Sequence, residues 1–373
     1  MSSLGPDGIV PSQIAALPWR IIGLVVLIGV FGLVVLYSAA GGHVQPWAFS
    51  QGIRFFMFLA LAIVLSRVPE SFWALSAFPI YGIILLMLVG VEALGAVAGG
   101  SQRWLDLGII RLQPSELMKP MIVLAMARFY EMLPAGEIRR FGAVWPAGVF
   151  IGLPAGLVML QPDLGTALMI TAGGIVVMFL AGVPLRLFIG GALALSVAAP
   201  LAVNFVLHDY QRNRVLIFMN PESDPLGTGY HITQSKIAIG SGGVFGKGFL
   251  NGTQSHLDYL PEGQTDFALA TMMEEWGLMG GFFLIIAFGI LVRWGIGVSM
   301  RAQSRFGRLT AAGLSATIFL YCAINMAMVM GLAPVVGVPL PLISFGGTAV
   351  MTFMICFGIL MSIDRQSRRM QRW

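Results

Sequence analysis

Asp266 closes the run Tyr259-Leu260-Pro261-Glu262-Gly263-Gln264-Thr265-Asp266-Phe267, where a polar, glycine-rich segment gives way to a long apolar stretch. A carboxylate at such a boundary suits general-base work: partial burial raises its pKa towards the working range, and nearby cations oppose the rise. An acidic residue at a helix N-terminus also suits capping that helix, and the spacing leaves both roles open. Upstream, Arg212 and Arg214 in Gln-Arg-Asn-Arg, then Lys236 and Lys247, supply positive charge. Guanidinium forks match phosphate oxygens, although plain surface charges would need no further task. Other charges stand inside apolar sequence, where an ionised group costs at least about 2.5 kcal/mol at the bilayer centre. Glu116 and Lys119, three apart after Pro114 and Ser115, share a helix face. They form either a local ion pair or a site where Lys119 meets an anion. Asp163 follows Pro162 and either caps the next helix or serves a polar mouth. Arg54 either snorkels or faces a polar cavity. Glu274 and Glu275 lie two turns beyond Asp266.

The elements that carry these residues follow from composition. Of 373 residues, 57% are apolar and only 10% charged, where a soluble domain carries roughly 25% charged residues. The apolar residues fall in blocks of around 20, and mean hydropathy is +0.85. A soluble enzyme is excluded, and so is a nucleic-acid binder despite a pI near 9.5. The chain reads as an all-α polytopic membrane protein forming one domain over 1–373. A window of about 19 residues places ten spans near 18–38, 46–65, 72–94, 115–132, 143–160, 164–181, 187–206, 266–293, 309–331 and 342–363. The first apolar run continues too far for a cleavable leader. Cys322 and Cys356 lie in apolar blocks without metal-ligand spacing, and no metal is assigned.

Fourteen of the 22 Lys and Arg residues, among them Arg139, Arg140, Arg186 and Arg301, fall on one side. The positive-inside rule assigns that side, and both termini, to the cytoplasm. Two segments stand out on the opposite side, 95–114 and the long loop 206–265. Loops of the second size are uncommon and usually functional. Chemistry is therefore expected to face outward. A carboxylate, several cations and close-approach glycines at an outer surface fit a lipid-linked phosphate or diphosphate, handled by an enzyme or by a transporter.

At these residues the sequence resembles the SEDS family (shape, elongation, division and sporulation), in its RodA-type rod-shape branch. The matching strings include Arg103-Trp104-Leu105-Asp106-Leu107-Gly108, Leu112-Gln113-Pro114-Ser115-Glu116-Leu117-Met118-Lys119 and Gln161-Pro162-Asp163-Leu164-Gly165. Tyr230-His231-Ile232-Thr233-Gln234-Ser235-Lys236, Leu260-Pro261-Glu262, Thr265-Asp266-Phe267 and Pro341-Leu342-Ile343-Ser344-Phe345-Gly346-Gly347 follow. The resemblance implies a ten-span, inverting peptidoglycan glycosyltransferase. It would polymerise lipid II at the outer face of a bacterial cytoplasmic membrane, with a class B penicillin-binding protein and the elongation machinery as partners. It places the essential aspartate at Asp266, polar residues of the fourth span at Glu116 and Lys119, and a hairpin aspartate at Asp163, while the residues themselves offer Lys119, Arg212, Arg214, Arg54 and Lys236 as cations for the diphosphate. Glu116, Asp163, His231, Gln234, Ser235 and Glu262 take supporting places. No cofactor is assigned, with room left for a divalent cation. The rival readings are a lipid II flippase and the division paralogue FtsW.

Overall fold

The computed structural model describes residues 17–94, 96–98, 101–106, 111–134, 136–205, 212, 217, 227–257, 259–260 and 262–370. A chain this apolar must satisfy its backbone polar groups within each segment when it crosses lipid, so it folds into helices. Among the described residues ten long helices overlap the positions expected for spans: α1 (Trp19–Ala39), α2 (Trp47–Leu65), α3 (Glu70–Leu94), α4 (Pro114–Met132), α5 (Phe141–Leu160), α6 (Leu164–Ala181) and α7 (Leu185–Phe205) come first. The long loop then contributes α8 (Thr228–Gly242) and the short α9 (Thr253–His256), before α10 (Ala268–Arg301), α11 (Arg305–Val329) and α12 (Gly347–Met370). Among the described residues, eight of the long helices are apolar enough to cross a membrane. Of the other two, α4 carries Glu116, Lys119, Arg128 and Glu131 within its length.

α4, α6, α11 and α12 form the centre of the bundle, with α4 against α3, α6 and α11, and α12 against α2. Burial follows this arrangement. On α4 nearly every residue from Pro114 to Ala127 is buried, whereas Leu75 on α3 and Leu195 on α7 are 77% and 67% exposed. Apolar exposure of that kind on the rim suits lipid contact.

Four expectations change. The 95–114 segment holds a small antiparallel ribbon, β1 (Ala96–Ala98), β2 (Ser101–Asp106) and β3 (Arg111–Leu112), with Ala98 opposite Ser101 and Leu105 opposite Leu112. The 206–265 loop contains α8, which packs on α10 and α11. Residues 342–346, expected to open the last span, belong instead to a non-helical strap, 332–346, and the helix starts only at Gly347. Asp266 precedes α10 in a turn covering 262–267.

α10 itself breaks at Gly277, whose φ of 62° and ψ of −158° lie outside the helical region. A break frees N–H and C=O groups at membrane depth, at roughly several kcal/mol each if unpaired. Segment 243–248 satisfies them. The backbone N–H groups of Lys247 and Gly248 donate to the carbonyls of Glu274 and Glu275 at 3.0 Å each. Those of Leu278 and Met279 donate to the carbonyls of Gly243 and Val244, at 2.9 and 3.1 Å.

Candidate active site

The site begins with the 262–267 turn. Glu262 adopts a left-handed backbone (φ 57°), and its carbonyl accepts from the N–H groups of Thr265 and Phe267 at 3.0 and 3.2 Å. Its carboxylate accepts from Thr265 Oγ1 at 2.6 Å, and the Gly263 carbonyl accepts from Thr271 Oγ1 at 3.1 Å. The N-cap of α10 is Phe267, with no side-chain cap bond. Asp266 is therefore not the capping residue of that helix. Its own carbonyl accepts from Asn325 Nδ2 at 3.0 Å, and its side chain is partly exposed.

The strap lies directly against this turn. A Cβ built on Gly337 would stand 3.5 Å from Asp266 Oδ2. The Phe345 N–H donates to the Gln264 carbonyl at 2.8 Å, and Leu340 N–H to Ser344 Oγ at 2.9 Å. Buried Gln51 of α2 donates to the Ser344 carbonyl at 3.0 Å. At Gly165, in the first turn of α6, any side chain would run into the Val336 carbonyl. Arg54 lies with its guanidinium carbon 5.3 Å from the centre of the Phe345 ring. A polar partner of the site, rather than a snorkelling one, is the role this contact favours.

Beneath the turn, Lys119 is buried with its ammonium donating to Glu116 Oε1 at 2.6 Å and to the Tyr321 hydroxyl at 2.9 Å. Tyr321 in turn donates to Glu116 Oε2 at 2.6 Å. The expected ion pair is present, and the Lys119 ammonium spends these bonds inside the bundle. Asp163 caps α6 through the Thr166 N–H at 3.1 Å and also accepts from Gln113 Nε2 at 3.2 Å, with Arg103 at 3.9 Å.

α8 brings the loop residues to the same region. His231 stacks on Phe267, ring centres 5.9 Å apart, and among the described residues its Nδ1 has no hydrogen-bond partner. Ser235 is buried and donates to the Val329 carbonyl at the end of α11, at 2.7 Å. Lys236 is exposed, its side chain laid against Gly331, while Gln234 is partly buried. Farther along, Glu274 and Glu275 are buried; Lys247 Nζ bonds Glu274 at 2.7 Å, and Ser38 donates to Glu275.

The structure thus gathers Asp266, Glu262, His231, Ser235, Lys236 and Arg54 around the turn and the strap, with the Glu116–Lys119 pair below and Asp163 beside the strap. Arg212 is exposed, and Arg214 lies outside the described residues. Sequence reasoning missed Tyr321, Asn325, Gln51 and the strap glycine Gly337. Tyr321 and Asn325 stand four apart in an apolar run, a polar stripe on one helix face that a search for ionisable residues passes over. Among the described residues no group of three or more His, Cys, Asp or Glu side chains comes together as metal ligands.

The family model for FtsW, RodA and SpoVE, described as cell cycle protein, matches residues 17–369. Peptidoglycan glycosyltransferase MrdB of Escherichia coli K12 is 44% identical over 346 residues, 92% of each chain. A chain from a structure on the structural coordination of polymerization and crosslinking by a peptidoglycan synthase complex superposes with a TM-score of 0.81. Its identity is 32%, over 94% of this chain and 98% of that one. The crystal structure of the rod shape determining protein RodA of Thermus thermophilus gives a TM-score of 0.70 at 27% identity, over 94% of this chain and 97% of that one. Matched from its first long helix to its last, this chain belongs to the FtsW/RodA/SpoVE family of cell cycle proteins.

Proposed function

We propose that this chain is an elongation-type peptidoglycan glycosyltransferase that polymerises lipid II at the outer face of a bacterial cytoplasmic membrane, with Asp266 as general base. The activity follows from the 44% identity to a peptidoglycan glycosyltransferase and the likeness to a rod shape determining protein. The observation that carries the residue assignment is the state of Asp266. It stands one residue before the N-cap Phe267, its main chain is held by Asn325, and its carboxylate lies beside the strap that also holds Phe345 and, through it, Arg54.

In the reaction, Asp266 takes the proton of the 4-hydroxyl on the acceptor's N-acetylglucosamine. That oxygen bonds to the anomeric carbon of a second lipid-linked sugar, and the bond from this carbon to the diphosphate breaks. The electron pair leaves with undecaprenyl diphosphate, and a single displacement turns an α-linked donor into a β-1,4 product. Charge grows on the diphosphate as the bond breaks, and fixed cations in a poorly hydrated cleft stabilise it best. Arg54 beside Phe345 and Lys236 beside Gly331 are the candidates for that task at the strap, and Arg212 and Arg214 are further candidates by sequence. The buried Glu116–Lys119–Tyr321 group ties α4 to α11, the helix whose Asn325 holds the Asp266 main chain.

The likeness to a chain from a synthase complex that couples polymerization to crosslinking supports a transpeptidase partner of the class B penicillin-binding type. The test is the purified chain with that partner and labelled lipid II. Wild type makes glycan chains, and folded Asp266→Ala makes none. Polymer from Asp266→Ala at the wild-type rate removes Asp266 from the chemistry. Translocation of lipid II without polymer by the wild type makes the chain a transporter instead.

A further inference from the structure

Asn325 is completely buried in α11, one turn beyond Tyr321. Its amide nitrogen donates to the Asp266 carbonyl at 3.0 Å and to the Val338 carbonyl at 2.8 Å. Because both partners are carbonyl oxygens, the opposite orientation of the amide would set its oxygen against two acceptors. The nitrogen must therefore point this way. The two carbonyls belong to the two segments that bracket the Asp266 carboxylate. One is the 262–267 turn that bears it; the other is the strap, whose Gly337 (φ 70°) faces Asp266 Oδ2. Among the described residues Asn325 Oδ1 has no donor.

We infer that Asn325 is a positioning residue for the glycosyl transfer: it bridges the turn and the strap through their main chains and thereby sets where the Asp266 carboxylate stands. It touches no reacting atom. The inference rests on Asp266 being the base. A bridge made to main-chain atoms on both sides fixes a position without altering the chemistry of the carboxylate itself. Misplacement of a base by about 1 Å can cost about 100-fold in rate.

The experiment uses the full chain with its transpeptidase partner, labelled lipid II, and the variants Asn325→Leu, Gly337→Ala, Asp266→Glu and Asp266→Ala. Asn325→Leu keeps the branching and the number of side-chain heavy atoms and removes both donors. Its kcat is expected to fall about 10- to 100-fold, with KM for lipid II within about two-fold of wild type. In the Asp266→Glu background, where the carboxylate is already displaced by one methylene, Asn325→Leu should cost less than about three-fold, because two changes acting on one position do not add. Gly337→Ala leaves both Asn325 bonds in place, sets a methyl group in contact with Asp266 Oδ2 at 3.5 Å and strains the strap backbone at φ 70°. It should also lower kcat with little change in KM. Wild-type turnover in Asn325→Leu overturns the inference, and so does a loss that appears equally in both backgrounds or as a rise in KM. If Asn325→Leu fails to fold, Asn325→Ala, which removes both donors without overfilling the site, takes its place in the same comparison, and wild-type turnover there overturns the inference. Full activity in Asp266→Ala would instead bring down the base assignment, a result read without any Asn325 variant.

Discussion

Lys247 meets Glu274 twice, its backbone N–H donating to the Glu274 carbonyl at 3.0 Å and its ammonium to Glu274 Oε1 at 2.7 Å. The backbone contact satisfies a carbonyl freed by the break at Gly277. The side-chain contact neutralises a carboxylate that is completely buried. Thr253 Oγ1 and the Gln254 N–H complete the carboxylate's shell at 3.1 and 3.0 Å. One residue of the loop therefore repairs both the helix and the charge.

Removing that cation should destabilise the fold more than removing the pair. Lys247→Met leaves Glu274 buried with neutral donors only, and breaking a buried pair costs about 3 kcal/mol or more. Glu274→Gln keeps an oxygen for the Gln254 N–H and should cost less. The double variant should recover part of the loss. Thermal unfolding in detergent ranks the three, and a double variant no better than Lys247→Met would show that the charge was not what mattered.

The Glu116–Lys119–Tyr321 group makes a second ranking. Tyr321→Phe deletes the donor to Glu116 and the acceptor for Lys119, worth about 1–3 kcal/mol. Lys119→Met leaves a buried carboxylate with Tyr321 alone and should cost about 3–5 kcal/mol. Lys119→Met should therefore melt at the lower temperature. The reverse order would mean that the hydroxyl, not the ammonium, holds α4 to α11.

What the sequence discloses here depends on how local the cause is. The spans are legible because crossing lipid demands about 20 apolar residues in a row, so α6 begins and ends where expected. Asp163 as a cap is legible for a similar reason, since its partner Thr166 is three residues away. The strap is not: Leu342, Ile343 and Phe345 are as apolar as any span, and only contacts with Gln51 and Gln264 show that they run outside a helix. The break at Gly277 is hidden likewise. The groups that satisfy it lie some 30 residues upstream, and the glycine stands among others in Gly277-Leu278-Met279-Gly280-Gly281. Asp266 could be found from its setting, whereas Asn325, neutral and inside an apolar run, could be found only from the atoms it touches.

Arg54 offers a test of the cation that touches the strap. Arg54→Lys retains the charge but loses the planar stacking on Phe345 and the two-pronged grip on a phosphate. Turnover of lipid II should drop about 10-fold, and Arg54→Ala should drop it about 100-fold or more, the scale of removing one donor to a developing anion. Melting temperatures of both should stay near wild type, because Arg54 is partly exposed and engages Phe345 only through its ring. Equal activity in Arg54→Lys and wild type would reduce Arg54 to a diffuse positive charge.

The break in α10 can be tested with two alanines on one helix. At Gly277 the backbone sits at φ 62°, where an L side chain is strained, and an added Cβ would stand 2.6 Å from the Val244 carbonyl. Strain of that kind costs about 1–3 kcal/mol before any clash is counted. At Gly289, twelve residues on, an added Cβ meets nothing within 4 Å. The same change there should be neutral or gain up to about 1 kcal/mol from helix propensity. Gly277→Ala should therefore melt well below wild type and Gly289→Ala at or above it. The difference should extend to turnover, because segment 243–248 is seated in the break and leads directly from α8, which carries His231 and Lys236. If Gly277→Ala instead melts with the wild type, α10 has closed into an unbroken helix, and Lys247 must have given up the Glu274 carbonyl. Hydrogen exchange would then report faster exchange at the Lys247 and Gly248 amides.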